Sequence, residues 1–261
     1  TGWFAGYDYL YEKHFTPDAA QAAQCAVLEF EGVYHNAEVH LNGEKIAFCP
    51  YGYSDFYADL TGKLLPGRDN VLEVIAHNAD QPNSRWYSGA GIYRPVTLWT
   101  APARHILPDG VQVRTLSIDP AEVEVTVQTT ASGAVAVAIL DGEQTVATAQ
   151  AESNGKAVLR VQIPNAKLWS PDSPALYRCR TMFGDDCAET TFGVRTLSWG
   201  DDGFLLNGKR VILLGACVHH DHGVLGACCY PEAEERKVRL LQKVGYNAVR
   251  CAHNPCSKAF L

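Results

Sequence analysis

The sequence reads VILLGA at residues 211–216, PEAEERKVRLLQKV at residues 231–244 and AVRCA at residues 248–252. The first run is continuously apolar, as expected of a strand that is buried on both faces. The second begins with Pro, carries acidic residues in its first turn and repeats apolar residues at helical spacing. The third is typical of a short strand. Strand–helix–strand order with an apolar first strand predicts the opening of a parallel α/β unit.

A complete (β/α)8 barrel takes roughly 250 residues, and only about sixty follow Gly200. We therefore expect residues 200–261 to form a truncated start of such a barrel. The chain begins with Thr1, and its only methionine is Met182, so we expect it to be a piece of a longer product. An open barrel edge also predicts self-association or local disorder beyond Gly200.

The sequence before the barrel segment is typical of β-structure. Apolar runs at residues 38–41 and 45–48 flank Asn42 and Gly43, and Asn-Gly between such runs is a strong hairpin signal because both residues accept positive φ. Aromatic residues and short strands with turn signals are dense as far as residue 102. These features predict a jelly-roll β-sandwich over residues 1–102.

Composition changes near residue 101, where aromatics give way to small β-formers. Valine alternates with polar residues at residues 123–127, again at 135–139, and a third such run lies at 159–163. Period-two patterning over several strands predicts an immunoglobulin-like β-sandwich over residues 103–199. The expected fold class is thus mainly β: a jelly-roll sandwich, an immunoglobulin-like sandwich, then the truncated barrel start.

Composition excludes several functional classes. The chain has 261 residues, 47% of them apolar, which is typical of a globular protein. It carries 22 Lys and Arg against 29 Asp and Glu, a net charge of −7, which argues against nucleic-acid binding. No apolar run approaches the roughly 20 residues that a membrane span needs. The nine cysteines form no CxxC motif, which favours free, buried thiols and a cytoplasmic protein.

A cluster of polar side chains follows the two predicted barrel strands. His219 begins the run HHDH, while Arg250 and His253 lie at the end of the second strand. Because the carboxyl ends of parallel strands share one face of a barrel, we expect these groups to meet. Such donors suit a polyhydroxylated or anionic ligand. Structural hydrogen bonding is the alternative, and no metal site is predicted because neighbours in an extended segment point apart.

A second candidate lies in residues 81–94, QPNSRWYSGAGIYR. Two aromatics followed by Gly-Ala-Gly indicate a tight loop with close backbone approach. Either Asn83 and Arg85 reach a ligand, or the loop packs at a domain interface. The paired carboxylates, at residues 185–186, 201–202 and 234–235, are interpreted as solvated turn or helix-start charges.

Four segments together resemble a known family. NSRWYSGAGIYR at 83–94, LWSPDSPALY at 168–177, GACVHHDHG at 215–223 and NAVRCAHNP at 247–255 are similar to motifs of family 2 glycoside hydrolases, in the family's order. The resemblance covers essentially the whole chain. It places a sugar-binding domain, an immunoglobulin-like domain and the first barrel strands in succession, and it is strongest to the β-galactosidase branch.

The resemblance implies retaining hydrolysis of terminal β-galactosides by two glutamates. In the family, both glutamates lie on later barrel strands, so we expect no catalytic residue in this chain and no hydrolysis by it alone. His219 and His253 match histidines that contact the sugar, and Arg250 matches an arginine that supports the nucleophile. Asn83 and Arg85 lie in a loop that reaches the active site in some members.

Other features of the chain leave alternatives open. Cys217 and Val218 replace the Asn-Arg often found before the first histidine, and Asn254 stands where many members have Tyr. A β-glucuronidase or β-mannosidase parent is therefore an alternative, as is a stand-alone carbohydrate-binding protein built from two sandwiches. No cofactor is predicted for this chain, and a divalent cation in the parent protein is left open. The expected partner is a β-galactoside or related carbohydrate.

Overall fold

A computed structural model describes residues 6–80 and 88–261 of the chain. The chain divides into two compact units. One comprises residues 1–100 together with 213–261, and the other comprises residues 101–212. Residues 213–261 of the barrel segment thus belong to the same unit as the first sandwich, although the two are far apart in sequence.

Residues 6–80 and 88–101 form a jelly-roll β-sandwich, as predicted. Its elements are β1 (Asp8–Phe15), α1 (Ala19–Ala23), β2 (Cys25–Phe30), β3 (Val33–Tyr34), β4 (Ala37–Leu41), β5 (Glu44–Cys49), β6 (Phe56–Asp59), β7 (Asn70–His77), β8 (Gly91–Ile92) and β9 (Val96–Ala101). The sheets have the orders β1-β7-β4-β5, β6-β2-β9 and β3-β8. Alternate residues of β4 and β7 point into one apolar core, where Val39 and Val74 are buried.

The predicted Asn-Gly hairpin is confirmed. β4 and β5 pair antiparallel across a turn in which φ is 53° at Asn42 and 81° at Gly43. Both values are positive, as a type I′ turn requires. The Asn42 Oδ1 also accepts a hydrogen bond from the Val71 amide over 2.9 Å, which ties the turn to β7.

The second unit contains an immunoglobulin-like sandwich and a short antiparallel sheet. Its strands are β10 (Ile106–Ile118), β11 (Ala121–Asp141), β12 (Gln144–Gln162), β13 (Tyr177–Phe183), β14 (Asp186–Phe192), β15 (Leu197–Gly200), β16 (Gly203–Leu206) and β17 (Lys209–Arg210). The valine runs at 123–127 and 135–139 belong to one strand, β11, whose pairing with β12 shifts register between Gln128 and Ser132. Both runs reach the same core.

The barrel segment has the predicted strand–helix–strand order. β18 (Gly215–Val218) and β19 (Ala248–Cys251) pair in parallel and flank α2 (Pro231–Lys243), and a 3-10 turn spans Lys258–Phe260. Gly245 has φ of 90°, which follows the end of the helix as predicted. A Cβ at Gly215 would overlap the Ala248 carbonyl, so the close approach of the two strands requires glycine there.

The predicted burial of the apolar run at 211–216 is wrong. The strand begins only at Gly215, and Ile212, Leu213 and Leu214 are 68%, 56% and 55% exposed. Among the residues that the structure describes, β18 pairs only with β19. A two-stranded sheet leaves one edge and much of its faces uncovered, so the apolar run is not enclosed.

The cysteines are free, but most are not buried as expected. Only Cys49 and Cys179 are buried, while Cys187, Cys217 and Cys251 are among the exposed ones. Several lie on or beside the short parallel sheet, where little of the chain covers them. Across residues 6–80 and 88–261, no helix is both long and apolar enough to cross a membrane.

Candidate functional site

The parallel strands bring two histidines together. His219 directly follows β18, and His253 lies two residues beyond the end of β19. Their ring centroids are 6.1 Å apart, and the rings are tilted by 45°. Parallel pairing brings the two segments that carry them to the same edge, where both strands end. Two imidazoles at this spacing can both contact one sugar-sized ligand, and that role stays a prediction.

Of the other predicted site residues, the structure describes Arg250 but not Asn83 and Arg85. Arg250 lies in β19 opposite Cys217, and its Nη1 is 3.6 Å from the Cys217 Sγ. Its side chain is exposed, as a residue lining an open mouth would be. Asn83 and Arg85 lie outside the described residues, so their predicted contact with a ligand stays a prediction.

His220 packs away from solvent, against the first sandwich. Its ring lies edge-on to Tyr53 at 5.0 Å and is 6.1 Å from Tyr93. Burial, with a smaller contribution from the Arg94 guanidinium, lowers the pKa of His220 to about 4. The imidazole is therefore neutral near pH 7. Its Nε2 has no hydrogen-bond partner among the described residues.

Glu234 anchors the segment that carries the first histidines. It is 3% exposed, and its Oε1 lies 3.0 Å from the His222 Nε2. Its Oε2 lies 2.9 Å from the Lys237 Nζ, one turn along α2. Glu234 therefore lies in the first turn of the helix, as predicted, but it is not solvated, because His222 of the loop after β18 lies over it. Glu235 is exposed, as predicted.

Arg94 anchors the segment after β19. The side chain is buried, with 4% exposure, and donates only to backbone carbonyls among the described residues. Nη1 lies 3.3 Å from the Glu31 oxygen and 3.2 Å from the Tyr53 oxygen, and Nη2 lies 2.8 Å from the Pro255 oxygen. One guanidinium thus ties two turns of the sandwich to the segment that carries His253.

Two further contacts join the same segment to the sandwich. The Tyr51 hydroxyl donates to the Asn254 Oδ1 over 2.8 Å. The Lys258 ammonium forms an ion pair with Glu29 and lies 3.5 Å from the Asp55 Oδ2. Glu29 is buried and also accepts from the Trp99 Nε1 over 2.8 Å, so both its oxygens are occupied.

A small cavity lies between the two histidine-bearing segments and the sandwich. Its walls include five of the polar side chains named above and three thiols: Arg94, His219, His220, Glu234, Asn254, Cys229, Cys251 and Cys256. Burial, and next a hydrogen bond with Cys256, raise the pKa of Cys251 to about 11. That thiol is therefore protonated near pH 7. Within residues 6–80 and 88–261, no three His, Cys, Asp or Glu side chains are grouped so as to hold a metal ion.

Arg94, Glu234 and Tyr53 were not predicted from the sequence to belong to a site. Arg94 is the last residue of the candidate loop segment at 81–94, but no local sequence pattern indicates that an arginine is buried. Tyr53 is one of many aromatics in the first hundred residues.

Three family models match successive parts of the chain. Residues 1–104 match the galactose-binding domain-like model of glycosyl hydrolase 2, residues 109–195 match the glycosyl hydrolases family 2 model, and residues 198–261 match the family's TIM barrel domain. Together they account for almost the whole chain, in the order that the sequence motifs indicated.

Individual relatives agree with the models. A protein named beta-galactosidase BoGH2A from Bacteroides ovatus is 38% identical over 94% of this chain, and a putative beta-glucuronidase from Formosa agariphila is 32% identical over 96%. The chain spans 31% and 25% of their lengths. A crystal structure of a family 2 member from Bacteroides cellulosilyticus superposes with a TM-score of 0.91 at 34% identity, covering 98% of this chain and 38% of that one. With the motifs, the domain order and the backbone in agreement, this chain belongs to glycoside hydrolase family 2.

Proposed function

We propose that this chain acts within a retaining β-glycosidase whose substrate is a terminal β-galactoside. The observation that carries the proposal is the convergence of His219 and His253 beyond two adjacent parallel strands, 6.1 Å apart. The carboxyl end of barrel strands is where barrel enzymes keep their reacting groups. The similarity to a protein named beta-galactosidase supports the sugar.

In this proposal, the chain supplies part of the sugar site. Retaining hydrolysis uses one glutamate as an acid and a second as the nucleophile, about 5 Å apart. Both would come from later barrel strands, so the chain alone would not hydrolyse glycosides. His219 and His253 would bind sugar hydroxyls through their ring nitrogens, and Arg250 would support the nucleophilic carboxylate. Asn83 and Arg85 would approach the sugar from the first domain, and no metal or other cofactor is assigned to these residues.

Three further expectations belong to the same proposal. We propose domains at residues 1–102, 103–199 and 200–261. The exposed run that includes Leu213 and Leu214 supports self-association of the isolated chain through its open barrel edge. Nine free thiols support a cytoplasmic location.

A β-glucuronide is the second candidate substrate. Relatives named beta-glucuronidase cover 96% of this chain at 32% identity and 87% at 28% identity. A guanidinium such as that of Arg250 would suit the carboxylate of a uronic acid. The greater identity to the protein named beta-galactosidase is why the galactoside ranks first.

The test uses the polypeptide encoded by the complete reading frame that contains this sequence. Turnover of aryl β-galactoside, β-glucuronide and β-mannoside is compared in parallel. His219→Ala and His253→Ala should each lower kcat/KM by about 10- to 100-fold, as expected for loss of one strong hydrogen bond in the transition state. His40→Ala is the control, since His40 pairs with Glu38 on the first sandwich.

Preferred turnover of the glucuronide would replace the proposed substrate. Absence of turnover on all three glycosides, or full activity after both histidine substitutions, would overturn the proposal. Hydrolysis by residues 1–261 alone would overturn the part that assigns both glutamates to later strands.

A further inference from the structure

We propose that Tyr93 and Arg94 form a clamp that positions both histidine-bearing segments, with Tyr93 holding one and Arg94 holding the other. The first segment comprises residues 219–230 and the second comprises residues 252–257. The clamp itself is a feature of this chain, whereas its consequence for sugar binding rests on the proposed function. Tyr93 and Arg94 are positioning residues, since neither is assigned a contact with the sugar.

Arg94 holds the second segment by geometry that another side chain cannot copy. Its two terminal nitrogens reach three carbonyl oxygens on separate parts of the chain, at Glu31, Tyr53 and Pro255. A guanidinium presents several donors in one rigid plane, whereas an ammonium is a single point with flexible reach. Loss of the fork leaves buried carbonyls without a donor, which costs free energy.

Tyr93 holds the first segment through its backbone and its ring. The Tyr93 carbonyl accepts from the Cys229 amide over 3.0 Å. The phenol is fixed in turn, because its hydroxyl donates to the Gly52 carbonyl over 2.7 Å. The ring lies 6.1 Å from His220, directly after His219 in sequence. The first segment is therefore docked at both His220 and Cys229.

The adjacency of these two residues is what makes them one device. The Tyr93 carbonyl and the Arg94 Cα belong to one planar peptide unit, and the carbonyls of Glu31 and Tyr53 hold the Arg94 guanidinium in place. One dipeptide of the sandwich therefore fixes Cys229 of one segment and Pro255 of the other in a common frame. The spacing between His219 and His253 depends on both segments, so loss of either hold should alter it. The strand pair alone cannot fix it, because His253 lies two residues past the end of β19.

The clamp can be tested in the complete polypeptide without any sugar, because residues 1–261 alone are expected to self-associate through the open barrel edge. The variants are Arg94→Met, which removes all three hydrogen bonds, and Arg94→Lys, which keeps the charge. Arg104→Met is the control. Arg94 lies over the Tyr93 ring at 5.1 Å, and exposed Arg104 lies over the Phe183 ring and donates to the Ser132 carbonyl over 2.8 Å. The control removes the same kinds of contact in the other unit.

Two readouts are compared at neutral pH. Hydrogen exchange is followed peptide by peptide, and the ring resonances of His219 and His253 are followed by NMR. We expect Arg94→Met to speed exchange at residues 252–257 by about 10-fold or more and to shift the His253 ring resonances. Arg94→Lys should restore little of either, and Arg104→Met should leave both unchanged.

Tyr93→Phe keeps the test decisive if Arg94→Met does not fold. That change removes only the hydroxyl that donates to the Gly52 carbonyl and keeps the ring beside His220. It should speed exchange at residues 219–230 in the same direction but to a smaller extent. The inference is overturned if Arg94→Met folds and leaves exchange and the His253 resonances as in the parent, or if Tyr93→Phe leaves exchange at residues 219–230 unchanged.

Enzyme kinetics then separate this inference from the proposed function. In the complete polypeptide, Arg94→Met should lower kcat with a smaller change in KM, since misplaced groups cost most in the transition state. Faster exchange without any activity toward glycosides would uphold the clamp and overturn the proposed function. Unchanged exchange in an active glycosidase would uphold the proposed function and overturn the clamp.

Discussion

Arg94 and Pro255 lie 161 positions apart in sequence, and the guanidinium of one donates to the carbonyl of the other across 2.8 Å. This hydrogen bond links the first sandwich to the segment that follows the second barrel strand. A sugar-binding-type domain is thereby joined to the barrel by a buried, directional contact rather than by apolar packing alone. The geometry of the candidate site consequently depends on residues of both regions.

Glu234 should contribute to stability far more than its neighbour Glu235. Glu234→Ala would leave Lys237 and His222 buried without their carboxylate, which should lower the free energy of unfolding by about 3 kcal/mol. Glu235→Ala removes only an exposed pair with Arg239 and should cost less than about 0.5 kcal/mol. Urea unfolding of both variants measures the difference. Equal losses would contradict the buried role of Glu234.

His220 should make the chain less stable in mild acid. Its pKa is about 4 in the folded chain against 6.5 for a free imidazole. Above pH 6.5 the imidazole is neutral in both states, so it contributes no pH dependence. Between pH 6.5 and 4 the unfolded chain binds a proton that the folded chain does not, so stability falls as pH is lowered.

Urea unfolding at several pH values between 7 and 4.5 checks this slope. His220→Phe keeps a ring against Tyr53 and should flatten the slope over that range. His14→Gln is the control, because the pH dependence of stability that His14 contributes has the opposite sign. A hydrogen bond with Asp69, and next one with Glu12, raise the pKa of exposed His14, so its small contribution is present below pH 6.5 and disappears as pH rises. If the slope is unchanged in His220→Phe, the pH dependence of stability comes from other groups.

Local patterns predicted the elements of this fold but not the contacts that join them. The helix at 231–243 and the strand at 248–251 follow from local patterns that act over a few residues, whereas the apolar run at 211–216 misplaced the strand that lies at 215–218. β11 was predicted as two strands because polar residues interrupt its valines near residue 130. The structure keeps one strand there, since a register shift absorbs the interruption.

The residues of the candidate site likewise divide into those that a local pattern predicts and those whose burial depends on distant segments. His219 and His253 were predicted to meet because each follows a strand, and parallel pairing brings the ends of both strands to the same edge. Burial of Arg94 and Glu234 depends on segments that fold over them from elsewhere, and no local pattern reports such coverage. Asn83 and Arg85 were predicted from a loop motif whose residues lie outside the described part of the chain.

The β4–β5 turn should depend on its backbone conformation alone. Gly43→Ala places a Cβ in open space, with no atom within 4 Å, but at φ of 81°. We expect a loss of about 1 kcal/mol from the left-handed conformation. Gly200→Ala is the matched control, because its Cβ also meets nothing within 4 Å and its φ is not positive. Thermal unfolding of the two variants should therefore differ, and a neutral Gly43→Ala would contradict the type I′ turn.

Cys251 should react slowly with alkylating agents despite its exposed position. Burial of the thiol and the neighbouring Cys256 raise its pKa to about 11 from an ordinary value of 9.0. Since the thiolate is the nucleophile, two pKa units reduce the reactive fraction at pH 8 about 100-fold. Iodoacetamide labelling followed by peptide mass spectrometry should modify exposed Cys187 well before Cys251.

Cys256→Ser tests the cause, because it replaces the neighbouring thiol with a hydroxyl while burial is kept. Labelling of Cys251 should then accelerate only in part, since burial is the larger of the two effects. Labelling of Cys251 as fast as Cys187 in the parent chain would show that neither effect operates on this thiol.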